Sequence, residues 1–237
     1  MPAFIFDIDD TLYDRLTPFR LAYEEQYGAC RDENEMRVLF HAFIRRGNQV
    51  FEDAMAGQIS MEEMYIFRFR QAAADFGQTV SRQEALDFQT AYQWQQNHIQ
   101  LSPALEKLLA LCREQGAFLG VITNGPSLHQ RDKCRALGLS RWIGEEHILA
   151  SGDIGINKPD PGIFREAMLR WQLDPETTWY AGDSYDHDIR GAAGAGWHTI
   201  WLDRSGKNEQ KKPPADFRVN SEEELCACIA SLLEECP

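Results

Sequence analysis

The spacing of short apolar runs constrains this fold more than any other feature of the sequence. Residues 3–8 (AFIFDI), 118–123 (FLGVIT), 178–181 (TWYA) and 199–202 (TIWL) read as buried strands, with 147–150 (HILA) as a further short one. Helical patterns separate them. Such alternation implies a parallel sheet covered on both faces, with ligands bound beyond the carboxyl ends of the strands. The expected fold class is therefore α/β, a Rossmann-like doubly wound parallel sheet.

Ser102 and Pro103 open a helix in which Leu105, Leu108, Leu109 and Cys112 follow i, i+3, i+4, i+7 spacing, and Gly116 closes it. A helix from about Leu128 to Leu137 ends at Gly138, and Asp160 with Pro161 starts another. Ser221 and Glu224 cap a last helix with Leu225, Cys228, Ile229 and Leu232 on one face. Residues 206–214 form a lysine-rich, proline-containing stretch expected to be a solvated loop.

Between Leu16 and Gln96 the β-branched runs disappear, and Glu, Gln, Ala, Arg, Met and Phe take over with helical spacing. Ser60 with Glu63 and Ser81 with Glu84 read as capping boxes, preceded by turns at Gly57 and Gly77. The expected organisation is a catalytic core of residues 1–14 and 97–237 interrupted by a helical domain of residues 15–96.

A chain of 237 residues, 43% of them apolar, can bury a sizeable core. Its formal net charge of -13 repels nucleic acid phosphates and anionic lipid headgroups, so neither is an expected partner. No secretory signal or membrane-span pattern is read, and the six cysteines lack metal-ligand spacing, which makes a cytoplasmic setting with reduced thiols the expectation. The histidines show no ligand spacing either. Any anionic substrate must then be met by a divalent cation or by a local cluster of lysine and N–H donors.

Asp7, Asp9 and Asp10 crowd carboxylates at the end of the first strand. In an extended segment Asp7 and Asp9 face the same side, where they repel unless a cation or shared proton offsets them. Taken alone, this is an acidic turn. Gly182-Asp183-Ser184-Tyr185-Asp186-His187-Asp188 again puts carboxylates after an apolar run, and the two clusters can meet across neighbouring strands. Such a gathering of oxygen ligands suits Mg2+. Thr123, Asn124 and Gly125 offer a hydroxyl, an amide and a backbone N–H suited to a phosphate, and Lys158 precedes the helix start at Asp160. Each of these two signals is weak by itself, since Asn-Gly is commonly a plain turn and a loop lysine is commonly solvated.

In this order the four segments resemble the motifs of the haloacid dehalogenase superfamily, whose phosphatases read Asp-x-Asp-x-Thr, then Thr or Ser, then Lys, then Gly-Asp with a further Asp. The position of the helical insert is similar to that family's cap. The resemblance implies Asp7 as a nucleophile that is transiently phosphorylated, and Asp9 as general acid and base. It implies Thr123 and Lys158, with Asn124 and Gly125 beside them, around the phosphate. Mg2+ would sit among Asp7, the Asp9 backbone carbonyl and Asp183, supported by Asp188 in preference to Asp186 because Ile189 restores the family's Asp-Ile ending. Asp10 departs from the Gly common at its position, and its side chain is expected to point away from the nucleophile.

An acid at Asp9 argues for phosphoryl transfer over dehalogenation, because a halide leaves without a proton. The implied activity is a Mg2+-dependent phosphatase acting on a small phosphorylated metabolite, with a nucleoside 5'-monophosphate as one candidate. A sugar phosphomutase and a non-catalytic binding protein on the same scaffold are the alternatives. Within the insert, Arg68 is a candidate substrate contact or a helix-surface ion pair, and Phe67, Phe69, Phe76 and Phe88 are expected to pack as core.

Overall fold

The computed structural model describes residues 1–28, 32–204 and 215–235; the loop expected over 206–214, Cys30 and Cys236 lie outside them. The chain divides into two compact units, Met1–Asp14 with Ile99–Pro237, and Arg15–His98.

The first unit is built on strands β1 (Ala3–Phe6), β2 (Phe118–Thr123), β3 (Ile148–Ala150), β4 (Thr178–Gly182), β5 (His198–Leu202) and β6 (Phe217–Val219). They form one parallel sheet in the order β3-β2-β1-β4-β5-β6, the doubly wound arrangement expected. β1 is central, with Phe6 opposite Val121 of β2 on one side and Ala181 of β4 on the other. The strand order reverses between β1 and β4, so the crevice beyond their carboxyl ends is where such a fold binds ligands.

The second unit contains α1 (Leu16–Tyr27), α2 (Glu33–Asn48), α3 (Phe51–Met55), α4 (Met61–Ala74) and α5 (Arg82–Gln96). Both capping boxes form. Ser60 accepts from the Glu63 N–H at 3.1 Å while the Glu63 carboxylate accepts from the Ser60 N–H at 3.0 Å, and Ser81 with Glu84 repeats the exchange. Phe19, Phe43, Phe69 and Phe88 are fully buried at the centre of this unit. The rings of Phe69 and Phe88 lie 3.8 Å apart and parallel, so they are packing core as expected.

In the first unit the sheet is covered by α6 (Pro103–Glu114), α7 (Ser127–Ala136), α8 (Ser151–Ile154), α9 (Pro161–Trp171), α10 (Arg190–Gly194) and α11 (Glu222–Glu235). Alternate residues of β1 feed opposite layers because side chains along a strand alternate in direction. Phe4 and Phe6 join Leu105 and Leu109 of α6 and Ile229 of α11, whereas Ile5 joins Ile163 and Phe164 of α9. Each such side chain removed from water contributes roughly 1.5–3 kcal/mol. β6 was not expected from the sequence: it is three residues long, pairs among the described residues with β5 alone, and leaves Phe217 41% exposed, so it carries no buried apolar run.

Candidate active site

β1 ends at Phe6, but its ladder runs one bond further, the Asp7 N–H donating to the Ala181 carbonyl at 2.9 Å. The chain then turns, with Leu12 N–H bonded to the Ile8 carbonyl at 2.9 Å and Asp10 at φ 60°. That left-handed conformation suits glycine and is tolerated by Asp, which accounts for the residue found at this position. The turn takes in Ile8 to Leu12, directly after Asp7. Asp7 is buried, with 6% of its surface exposed.

Asp183 follows β4, and Asp188 lies in a π-type turn over Tyr185–Ile189. Among the described residues, carboxylate oxygens of Asp7, Asp183 and Asp188 lie within 4.8 Å of one another. Asp188 is held by the Ser184 N–H at 3.0 Å, and a Cβ at Gly182 would come within 2.5 Å of it, so the glycine is needed for this approach. Asp186 instead points outward, with a side chain 67% exposed and 3.6 Å from Arg190.

Lys158, expected at the rim, lies inside the cluster with 3% exposure. Its ammonium donates to Asp7 Oδ1 at 2.7 Å, Asp188 Oδ1 at 2.6 Å, Tyr180 Oη at 2.9 Å and the Ile122 carbonyl at 3.2 Å. Burial disfavours the ammonium, but Asp188 and Asp7 outweigh it and push the Lys158 pKa up. Asp7 fares differently. Burial pushes its pKa up to about 6; Lys158 opposes the rise, while Asp188 and Asp9 add to it. One lysine shared between carboxylates is over-supplied with negative charge, and each carboxylate is under-supplied with positive charge. Burial, with Asp188 and Asp7 adding to it, also raises the Tyr180 hydroxyl well above its ordinary value, so it stays a donor, to the Ile122 carbonyl at 2.8 Å. The cluster therefore offers oxygen donors and a deficit of positive charge, which fits a hard divalent cation.

The expected phosphate donors are close by, and several are engaged within the protein. Thr123 is buried and donates to Gln130 Oε1 at 3.3 Å. Asn124 binds the Lys158 backbone in both directions, its amide donating to the carbonyl at 2.9 Å and its oxygen accepting from the N–H at 2.8 Å. The Gly125 N–H donates to Ser151 Oγ at 2.9 Å. Asn124 thus ties the loop after β2 to the loop that carries Lys158.

Asp9 is clamped. Lys133 Nζ lies 2.7 Å from each of its carboxylate oxygens, and Tyr13 donates to Oδ1 at 2.6 Å. Neither partner was expected from the sequence. A signal for Lys133 exists in the helical spacing of α7: Gln130 and Lys133 fall on the inward face with Cys134 and Leu137, where polar side chains are unusual. Tyr180 gave no signal, being one aromatic in an apolar strand.

Arg68 belongs to the helical unit. Its guanidinium lies 4.2 Å from the Phe43 ring centre and 4.9 Å from that of Tyr65, and donates to Gln89 Oε1 at 2.5 Å. Among the described residues it has no carboxylate partner, so the surface ion pair expected as one alternative is replaced by packing over aromatic faces.

The core is a doubly wound α/β sheet with three acids gathered at its strand-order reversal, where such folds bind ligands. A model of the haloacid dehalogenase-like hydrolases matches residues 1–196, and the chain belongs to that family. It is 34% identical over 157 residues to phosphoserine phosphatase of Thermus thermophilus, spanning 66% of this chain and 61% of that one. It is 28% identical over 258 residues to glyceraldehyde 3-phosphate phosphatase of Methanopyrus kandleri, spanning 98% and 99% of the two chains. The crystal structure of HAD-hydrolase YfnB from Bacillus subtilis bound to magnesium superposes with a TM-score of 0.69 at 24% identity, covering 96% of this chain and 98% of that one, a likeness of fold. Among the described residues no helix is long and apolar enough to cross a membrane, and Cys112, Cys134, Cys226 and Cys228 are free.

Proposed function

We propose that the protein is a Mg2+-dependent phosphomonoesterase that hydrolyses a small phosphorylated metabolite through a phosphorylated Asp7. The observation that carries the reading is the trio of buried Asp7 and Asp188 with half-buried Asp183, and Lys158 Nζ 2.7 Å from the Asp7 carboxylate. Mg2+ held by the three carboxylates, with the Asp9 backbone carbonyl as a further ligand, would neutralise charge on the phosphoryl oxygens. An Asp7 oxygen attacks phosphorus as the ester P–O bond breaks, and Asp9 passes a proton to the departing alkoxide. Water then attacks the aspartyl phosphate, gives its proton to Asp9 and releases inorganic phosphate, restoring Asp7. Lys158 and the Thr123 hydroxyl would hold the phosphoryl oxygens, and Asn124 keeps the loops carrying them in register.

The two relatives, a phosphoserine phosphatase and a glyceraldehyde 3-phosphate phosphatase, favour short-chain phosphates as first substrates to try. Release of phosphate from 4-nitrophenyl phosphate, phosphoserine, glyceraldehyde 3-phosphate, phosphoglycolate, sugar phosphates and nucleoside 5'-monophosphates tests the reading. Mg2+-dependent turnover lost in Asp7→Asn is expected; turnover retained by that variant refutes the nucleophile. Isomerised sugar phosphate with little free phosphate points instead to a mutase.

A further inference from the structure

We propose that Lys133 is a positioning residue for Asp9, fixing the carboxylate that exchanges protons with the leaving group and with water. The inference rests on the acid–base reading of Asp9 given above and adds what holds that group in place. Lys133 is 5% exposed and comes from α7, far along the chain from its partner. Its ammonium touches both carboxylate oxygens at 2.7 Å, and the Tyr13 hydroxyl takes Oδ1 at 2.6 Å. A planar group gripped at both oxygens and braced at one cannot rotate freely about its terminal torsion, so its distance and angle to the crevice are set.

Two further observations favour positioning over simple stabilisation. A buried ion pair is seldom more stabilising than apolar residues of the same volume, so stability alone is a weak reason to bury a lysine here. One turn earlier on the same face of α7, Gln130 donates to the Asn124 carbonyl at 2.9 Å and accepts from Thr123. One helix face thereby holds the loop after β2 and the turn after β1 in common register. A misplacement on the order of 1 Å in a reacting group costs roughly a hundredfold in rate.

The consequence depends on the leaving group. When Asp7 displaces an alkyl ester, the departing oxygen needs the proton that Asp9 supplies as the P–O bond breaks. A nitrophenolate leaves as the anion and needs none. Loss of Lys133 therefore lowers kcat/KM more for the alkyl ester than for the aryl ester, whereas loss of a merely structural ion pair lowers both alike.

The test uses the full chain with Mg2+ and compares kcat/KM for glycerol phosphate and 4-nitrophenyl phosphate in wild type, Lys133→Met, Lys133→Arg, Asp9→Asn and the Asp9→Asn/Lys133→Met pair. A fall of about tenfold or more in the alkyl-to-aryl ratio is expected for Lys133→Met, with a smaller fall for Lys133→Arg and none beyond that of Asp9→Asn in the pair. If Lys133→Met does not fold, the ratio is read on Lys133→Arg. An unchanged ratio in the folded lysine variants overturns the proposal. A ratio unchanged in Asp9→Asn itself overturns the acid–base reading of Asp9, and the inference falls with it, a failure told apart by that single variant.

Discussion

Asp7→Asn should stabilise the protein in the absence of divalent cation while abolishing turnover. Burial, eased by Lys158 and worsened by Asp188 and Asp9, raises the Asp7 pKa from 3.8 to about 6. At roughly 1.4 kcal/mol per pH unit, the ionised carboxylate costs the folded state about 3 kcal/mol at pH 7.5. The sign follows from the raised value: the folded state holds the proton more tightly, so this contribution to stability is complete below 3.8 and is lost as pH rises through about 6. Asn has nearly the same shape and is neutral throughout, so it escapes that loss. Urea unfolding with EDTA across pH 4–8, followed by tryptophan fluorescence, measures the difference. Of the tryptophans, only Trp94 lies in the helical unit, so the signal reports mainly the unit that carries Asp7. The variant should exceed wild type by about 3 kcal/mol at pH 7.5, with the gap closing towards pH 4, and Mg2+ should narrow the gap at neutral pH. A variant no more stable than wild type at pH 7.5, or a gap that ignores pH, would refute the reasoning.

Lys158→Met leaves Asp7 and Asp188 buried without their shared cation, so urea unfolding at pH 7.5 should register a loss of about 3–5 kcal/mol, partly recovered when Asp7→Asn is added. Phe88→Ala removes a ring stacked 3.8 Å from Phe69 and should cost about 3–5 kcal/mol, seen by circular dichroism as early melting of helix. Gly182→Ala forces a Cβ to within 2.5 Å of Asp188 and should reduce Mg2+-dependent phosphate release on the order of tenfold, with the half-saturating Mg2+ concentration rising; unchanged Mg2+ dependence would argue that Asp188 yields without consequence.

The parts of the fold legible from the sequence are those set by interactions a few residues long. The apolar runs of β1, β2, β4 and β5 and the capping boxes at Ser60 and Ser81 depend on near neighbours, and each is found within two residues of where the pattern put it. β6 escaped because a three-residue edge strand with an exposed Phe217 has no such pattern. The gathering of acids at the first and fourth strand ends was visible as composition, and their motif spacing carried the family resemblance. Lys158 read as a rim residue because nothing local tells a loop lysine that it will be buried.

What the sequence by itself determined is therefore the alternation of strands and helices, the class of fold that follows, and which residue types stand at the strand ends. The tertiary structure alone decided that Lys158 meets Asp7 across 151 residues and that Lys133 meets Asp9 across 124. Those encounters depend on strand order and on the rotation of each helix about its axis. Both are settled by burying the whole apolar surface at once, so no short stretch of chain carries the information.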